Sequence, residues 1–138
     1  SKETADHSLP YVIAAAIADR QVTPLQFTQA KIMDPKIRAQ LQKVEVIADP
    51  EIEKVFPELQ RADVELDTTD GRTFSTRLDF PKGDPRNPLS DSEIEAKFGA
   101  LAAPVMCDGA AERLKDAVWN LESVVSVTEL MELAQSDR

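Results

Sequence analysis

The spacing of apolar and polar positions divides the chain into three stretches with different periods. In the first third the apolar residues run together or recur at helical spacing, and each run has a start signal. Leu9 to Ala18 is an almost unbroken apolar block and reads as a helix. Ser8 or Asp6 can cap it, because a short side-chain oxygen accepts the free N–H groups of a first turn; Pro10 is harmless where a donor would go unpaired anyway. Thr23-Pro24-Leu25-Gln26 has the form of a capping box with proline in the first helical position. Asp34-Pro35 repeats the device before a helix over Lys36 to Gln42, where Ile37 and Leu41 share one face.

In the middle third the period changes to two. Val44-Glu45-Val46 reads as a strand, and Asp49-Pro50 opens a short helical turn ending near Phe56-Pro57. The segment ADVELDTTDGRTFSTRLDF then reads as a hairpin. A two-residue turn at Asp70-Gly71 would place Val64 and Leu66 on the same face as Ser75 and Arg77, mixing apolar with polar side chains. A three-residue loop, Thr69-Asp70-Gly71, with Gly71 left-handed, instead sets Leu66 opposite Phe74, Val64 opposite Thr76 and Ala62 opposite Leu78. The same register sets Asp63 opposite Arg77 and Arg61 opposite Asp79 on the other face, so two independent patterns select it.

The segment PKGDPRNPL carries three prolines and a glycine, which excludes helix and central strand and leaves a link or a shaped loop. Beyond it Ser90-Asp91-Ser92-Glu93 is a capping box, and Ile94, Phe98 and Leu101 follow at helical spacing until Pro104. A helix from about Gly109 to Leu121 carries Ala110, Leu114, Ala117 and Leu121 on one side. A last one opens at Ser126-Val127-Thr128-Glu129 and carries Leu130 and Leu133. Segregated elements of this kind predict an α+β fold. The expected architecture is a small antiparallel sheet of three or four strands, its hairpin packed against the N-terminal helices, followed by C-terminal helices.

Composition narrows the function classes. Asp and Glu outnumber Lys and Arg 25 to 16, a formal charge of −9 that repels phosphate backbones and anionic lipid, so nucleic acid is not an expected partner. The apolar run from Tyr11 to Ala18 is well short of the roughly 20 residues that cross a bilayer, so no membrane is expected either. The lone Cys107 cannot form an internal disulfide, which suits a reducing, cytoplasmic setting. The opening SKETADH, without an initiator methionine, suggests a cut or processed piece.

Candidate chemistry is sparse. One histidine and one cysteine leave no cluster with zinc-ligand spacing, and the four glycines form no phosphate-binding pattern, so neither a metal nor a nucleotide cofactor is expected. His7 is the one side chain that titrates near neutrality without help, which makes it the acid–base candidate; it can equally hydrogen-bond or pack at the helix start beside Asp6. Lys82 and Arg86, in the Pro/Gly loop, could bind a carboxylate-rich anion, or could be solvated loop charges. Trp119 and Cys107 read as packing residues.

Taken in order, ETADHSLPYVIAAAI, the V-T-x-x-x-F segment from Val22 to Phe27, DPKIRAQLQKVEV, the DG hairpin, FPKGDPRNPLSDSEIEAKF and AVWNLE resemble the C-terminal part of the MmgE/PrpD family. That family includes 2-methylcitrate dehydratase and cis-aconitate decarboxylase, and the ETADHSLPY form is most similar to the methylcitrate dehydratases of propionate breakdown. The resemblance covers nearly the whole chain. It implies a lid-type α+β domain over residues 1–89, incomplete at its start, and helices over 90–138 that would pack on a helical domain upstream of Ser1. It also implies a metal-free hydro-lyase acting on a small tricarboxylate, by proton removal next to a carboxylate and loss of water from the neighbouring carbon. DHS falls at a position the family shares, which draws His7 towards the active site or a domain interface. A homo-oligomeric full-length enzyme and an inactive fragment would follow, with other family chemistry such as decarboxylation, or a non-catalytic module complementing a separate helical subunit, as alternatives.

Overall fold

Capping side chains set the helix boundaries in the computed structural model, which describes residues 1–135. The first helix, α1 (Lys2–Asp6), is capped by Ser1, whose hydroxyl accepts from the Thr4 amide at 3.3 Å. Five residues are too few to leave a periodic signal, and the sequence does not announce this helix. The apolar block forms α2 (Leu9–Asp19), and of its two possible caps Ser8 is the one used, accepting from the Tyr11 amide at 3.3 Å. α2 ends where Arg20 turns left-handed at φ 57° and its N–H reaches the Ala16 carbonyl.

Thr23 and Gln26 make the expected capping box, over a single 3₁₀ turn, Pro24–Phe27. The short α3 (Gln29–Ile32) leads to α4 (Pro35–Leu41), where the Asp34 carboxylate accepts from the Lys36 amide at 2.8 Å. α5 (Pro50–Glu53) repeats that cap, with Asp49 accepting from the Glu51 amide at 2.8 Å. Then follow the strands β1 (Ala62–Asp67) and β2 (Thr73–Leu78), and the helices α6 (Asp91–Ala102), α7 (Asp108–Trp119) and α8 (Val127–Leu133). A 3₁₀ turn, Leu121–Ser123, separates the last two helices, and Ser126 caps α8 through the Thr128 amide. The order is helices, a two-stranded antiparallel sheet, then helices, the α+β class read from the sequence.

Two compact units result. Ser1–Val46 joins the described residues from Asp91 onward in one, and Ile47–Ser90 forms the other. In the first unit α2 lies against α4, and the core is Ala5, Tyr11, Ala14, Ala15 and Ile37, with Ala18, Phe27, Ile32 and Leu41 packed around it. Two fully buried alanines of α2, Ala14 and Ala15, leave its neighbours room to approach closely, and Ile37 of α4, also fully buried, packs in the same cluster. Burying such a side chain contributes about 1.5–3 kcal/mol. The apolar block as a whole is not buried: Leu9 and Ile17 are 57% and 40% exposed, because a helix offers only one face to its neighbour.

In the second unit the hairpin has the register that the alternation selects. Ala62 pairs with Leu78, Asp63 with Arg77, Val64 with Thr76 and Leu66 with Phe74, so Leu66 and Phe74 stand on one face. Gly71 closes the three-residue loop at φ 83°. On the charged face Arg77 grips Asp63, with Nε 2.7 Å from Oδ1, and Arg61 Nε lies 2.6 Å from Asp79 Oδ1. Every residue of both strands is exposed.

Two expectations are corrected. Val44-Glu45-Val46 is not a strand; it continues from α4 as irregular backbone, and no strand lies beside it among the described residues to accept its ladder bonds. The sheet accordingly has two strands rather than three or four among those residues.

Candidate functional site

The DHSLPY motif is built by two consecutive helix ends. His7 terminates α1 and Ser8 caps α2, so the two helices meet at a corner with the imidazole on its outside. The His7 side chain is 87% exposed, and its Nε2 lies 3.8 Å from Asp6 Oδ1. That distance is an ion-pair separation and too long for a hydrogen bond.

Tyr11, one turn further on, points the other way. Its ring is buried, tilted at 48° against Phe27 with centroids 5.8 Å apart, and its hydroxyl donates to the Gln26 carbonyl at 2.5 Å. The Gln26 side chain is buried too: its Oε1 accepts from the Thr23 amide and hydroxyl, both at 2.9 Å, and its Nε2 donates to Asp19 Oδ2 at 2.9 Å. Asp19 also holds Lys31 at 2.7 Å. The Lys31 and then the Gln26 hydrogen bonds hold the Asp19 carboxyl below its ordinary range, and Asp19 in turn raises Lys31. Burial, then the Asp19 charge, pushes the Tyr11 phenol up. The capping box thus serves a second purpose that the motif alone does not reveal, tying the 3₁₀ turn to the end of α2.

The Pro/Gly loop of the second unit is a closed structure. The Asp84 amide reaches the Pro81 carbonyl at 3.1 Å, the Asn87 amide reaches the Asp84 carbonyl at 2.8 Å, and the Gly83 amide reaches the Asn87 carbonyl at 2.9 Å. Gly83 sits at φ 99°, where a side chain would be strained. The Asn87 side-chain amide donates to the Phe80 carbonyl at 3.0 Å. Arg86 is engaged on three sides. Its Nε and Nη2 fork onto Asp84 at 2.9 and 3.0 Å, its Nη1 donates to the Glu58 carbonyl at 2.9 Å, and its guanidinium lies 3.9 Å from the centroid of the Phe80 ring. Arg86, through its side chain and then its backbone N–H, holds the Asp84 carboxyl down at about 2.

His7 therefore belongs to one unit, Lys82 and Arg86 to the other. One cleft of about 320 Å³ is lined by Ile52, Phe56, Leu59 and Arg61, and another of about 240 Å³ by Leu25, Leu101 and Val105; none of the three candidates lines either of these. Among the described residues no group of three or more His, Cys, Asp and Glu side chains is placed to hold a metal ion, and no helix is long and apolar enough to cross a membrane. Asp84, Phe80 and the Glu58 carbonyl are the partners the sequence reading missed. The signal was present for the first: Asp84-Pro85-Arg86 is a third copy of the Asp-Pro cap, and its Asp accepts from the amide two residues on at 2.8 Å like the other two.

The C-terminal domain model of MmgE/PrpD matches residues 1–123. The chain is 34% identical over 124 residues to the cis-aconitate decarboxylase of Homo sapiens, covering 90% of this chain and 26% of that protein. It is 31% identical over 133 residues to the Mus musculus cis-aconitate decarboxylase, covering 96% and 27%. A cis-aconitate decarboxylase-like protein of Aspergillus oryzae is 28% identical over 128 residues, covering 92% and 26%. The chain spans about a quarter of the length of the curated relatives it matches.

Proposed function

Since the chain belongs to the MmgE/PrpD family through its C-terminal domain, we propose that it is the C-terminal part of a lyase acting on a small tricarboxylate, and that it needs an upstream helical domain to turn over. The match of the family domain over residues 1–123 carries this reading. In it, residues 1–89 serve as the lid-type part and residues 90–138 pack on the upstream domain, within a homo-oligomeric full-length enzyme.

The first reading of the reaction is dehydration of 2-methylcitrate. A proton leaves the carbon next to a carboxylate, hydroxide departs from the neighbouring carbon and is protonated to water, and a double bond forms between the two carbons. His7 is the acid–base candidate in this chain, supported by an exposed ring at the corner between α1 and α2. Lys82 supplies positive charge for a substrate carboxylate as a point donor. The second reading, favoured by the names of the curated relatives, is decarboxylation of cis-aconitate, in which a C–C bond breaks, CO₂ leaves and a proton takes its place on carbon.

Incubating the full-length protein with each tricarboxylate and identifying the products separates the two. Water loss from 2-methylcitrate supports the first reading and CO₂ release from cis-aconitate the second. Inertness towards both overturns the proposal. His7→Asn in the full-length protein is expected to lower kcat with little change in KM; an unchanged kcat removes His7 from the reaction.

A further inference from the structure

Arg86 stands in the sequence as an anion ligand or a solvated loop charge, and the geometry points to a third role. We infer that Arg86 is a positioning residue: it clamps the 80–89 loop to the turn at Glu58 and so fixes the backbone on which Lys82 sits. For its kinetic consequence the inference rests on the tricarboxylate reading above; its structural content does not.

An arginine that recognises a carboxylate presents two parallel N–H groups to it. Here Nε and Nη2 are given to Asp84 at 2.9 and 3.0 Å, and Nη1 to the Glu58 carbonyl at 2.9 Å. The Phe80 ring covers the face of the guanidinium at 3.9 Å. To ligate a substrate carboxylate with its Nε/Nη2 edge, Arg86 would have to abandon Asp84, whose side chain is only 11% exposed and would lose its cation. The contacts reach across the chain: Glu58 precedes the hairpin, while Asp84 and Phe80 follow it. Arg86 therefore joins the two ends of the hairpin.

Lys82 sits between two fixed points, since the Pro81 carbonyl accepts from Asp84 and the Gly83 amide donates to Asn87. Phe80, which opens this turn, is held by Arg86 through its ring and by Asn87 through its carbonyl. Loosening Arg86 removes the loop's ties to the Glu58 carbonyl and to the Phe80 ring and leaves its internal backbone bonds to hold it alone. A side chain that must meet a carboxylate then loses its fixed origin, a change that mispositioning makes costly.

The test uses the full-length protein with Arg86→Ala, Asp84→Ala, the double variant and Arg86→Lys. A clamp shared by the two residues predicts that each alanine variant lowers kcat/KM by a similar factor, about tenfold. The double variant should be no worse than either single one, and Arg86→Lys should fall between. Hydrogen exchange of the peptide spanning residues 80–89 should accelerate in both single variants. A direct substrate ligand predicts otherwise: Asp84→Ala frees the guanidinium, so kcat/KM stays or rises while Arg86→Ala alone loses activity, and that pattern overturns the inference. Exchange unchanged in both variants overturns it as well. Accelerated exchange in a protein that acts on no tricarboxylate supports the clamp and removes only the functional reading.

Discussion

The Tyr11 hydroxyl donates a 2.5 Å hydrogen bond to the backbone carbonyl of Gln26, and the same Gln26 reaches back through its side chain to Asp19 at the end of the helix that carries Tyr11. The two residues lock the 3₁₀ turn to α2 from opposite sides. Tyr11→Phe keeps the ring packing and leaves the Gln26 carbonyl without this donor, which costs about 1–3 kcal/mol. A urea titration should show a lower midpoint with an unchanged slope. The phenol is raised above its ordinary 10.0 in the fold, so above about pH 10 the unfolded chain releases a proton that the folded chain keeps. Stability from this group is whole below that pH and declines above it, and Tyr11→Phe should lessen the alkaline decline, leaving the part due to Lys31, which Asp19 also raises.

Asp84 makes the opposite prediction at the acid end. Its carboxyl is lowered from 3.8 to about 2 by Arg86, so the contact stabilises fully above the unfolded value and is lost as pH falls through about 2. A carbon-detected NMR titration should place its midpoint near 2 in the parent and higher in Arg86→Ala, though still below the ordinary value because the backbone N–H of residue 86 remains. Equal midpoints in both would contradict the contact.

Gly71 tests the hairpin. At φ 83° with nothing within 4 Å of a would-be Cβ, alanine meets no steric obstacle there and is opposed by backbone strain alone. Gly71→Ala should destabilise by about 1–2 kcal/mol, and Gly71→Asn by less. Exchange of the Thr68 amide, bonded to the Arg72 carbonyl at 2.9 Å, reports it directly.

Ile37 and Leu9 are both aliphatic and differ in burial. Ile37→Ala should cost about 2–5 kcal/mol, since the residue is fully buried between α4 and α2. Leu9→Ala, at a position 57% exposed, should stay within about 0.5 kcal/mol. Equal losses would mean that α2 is covered on its other face as well.

The hairpin register was legible because two patterns, apolar alternation and opposite charges, exclude the same alternative. The caps at Ser8, Thr23, Asp34, Asp49 and Ser126 were legible because each satisfies orphan amides by a local bond that spacing alone reveals. What depends on distant partners was not. Val44-Glu45-Val46 has strand composition and finds no strand beside it among the described residues; the burial of Gln26 depends on Asp19 and Tyr11, which sequence spacing does not place beside it. Asp84-Pro85-Arg86 shows the boundary between the two cases. It carries the same cap as Asp34-Pro35 and Asp49-Pro50, yet Pro88 disfavours helix at Asn87, so the cap closes a loop where the others open helices. The candidate site was legible as residue types and motif, while the partners of Arg86 came only with the fold.

The most direct test compares turnover by this 138-residue chain with turnover by its full-length parent, on 2-methylcitrate and on cis-aconitate, at equal molar concentration. The account predicts conversion of one of the two by the parent and none by the chain alone. Full conversion by the chain, or none by the parent, would contradict it.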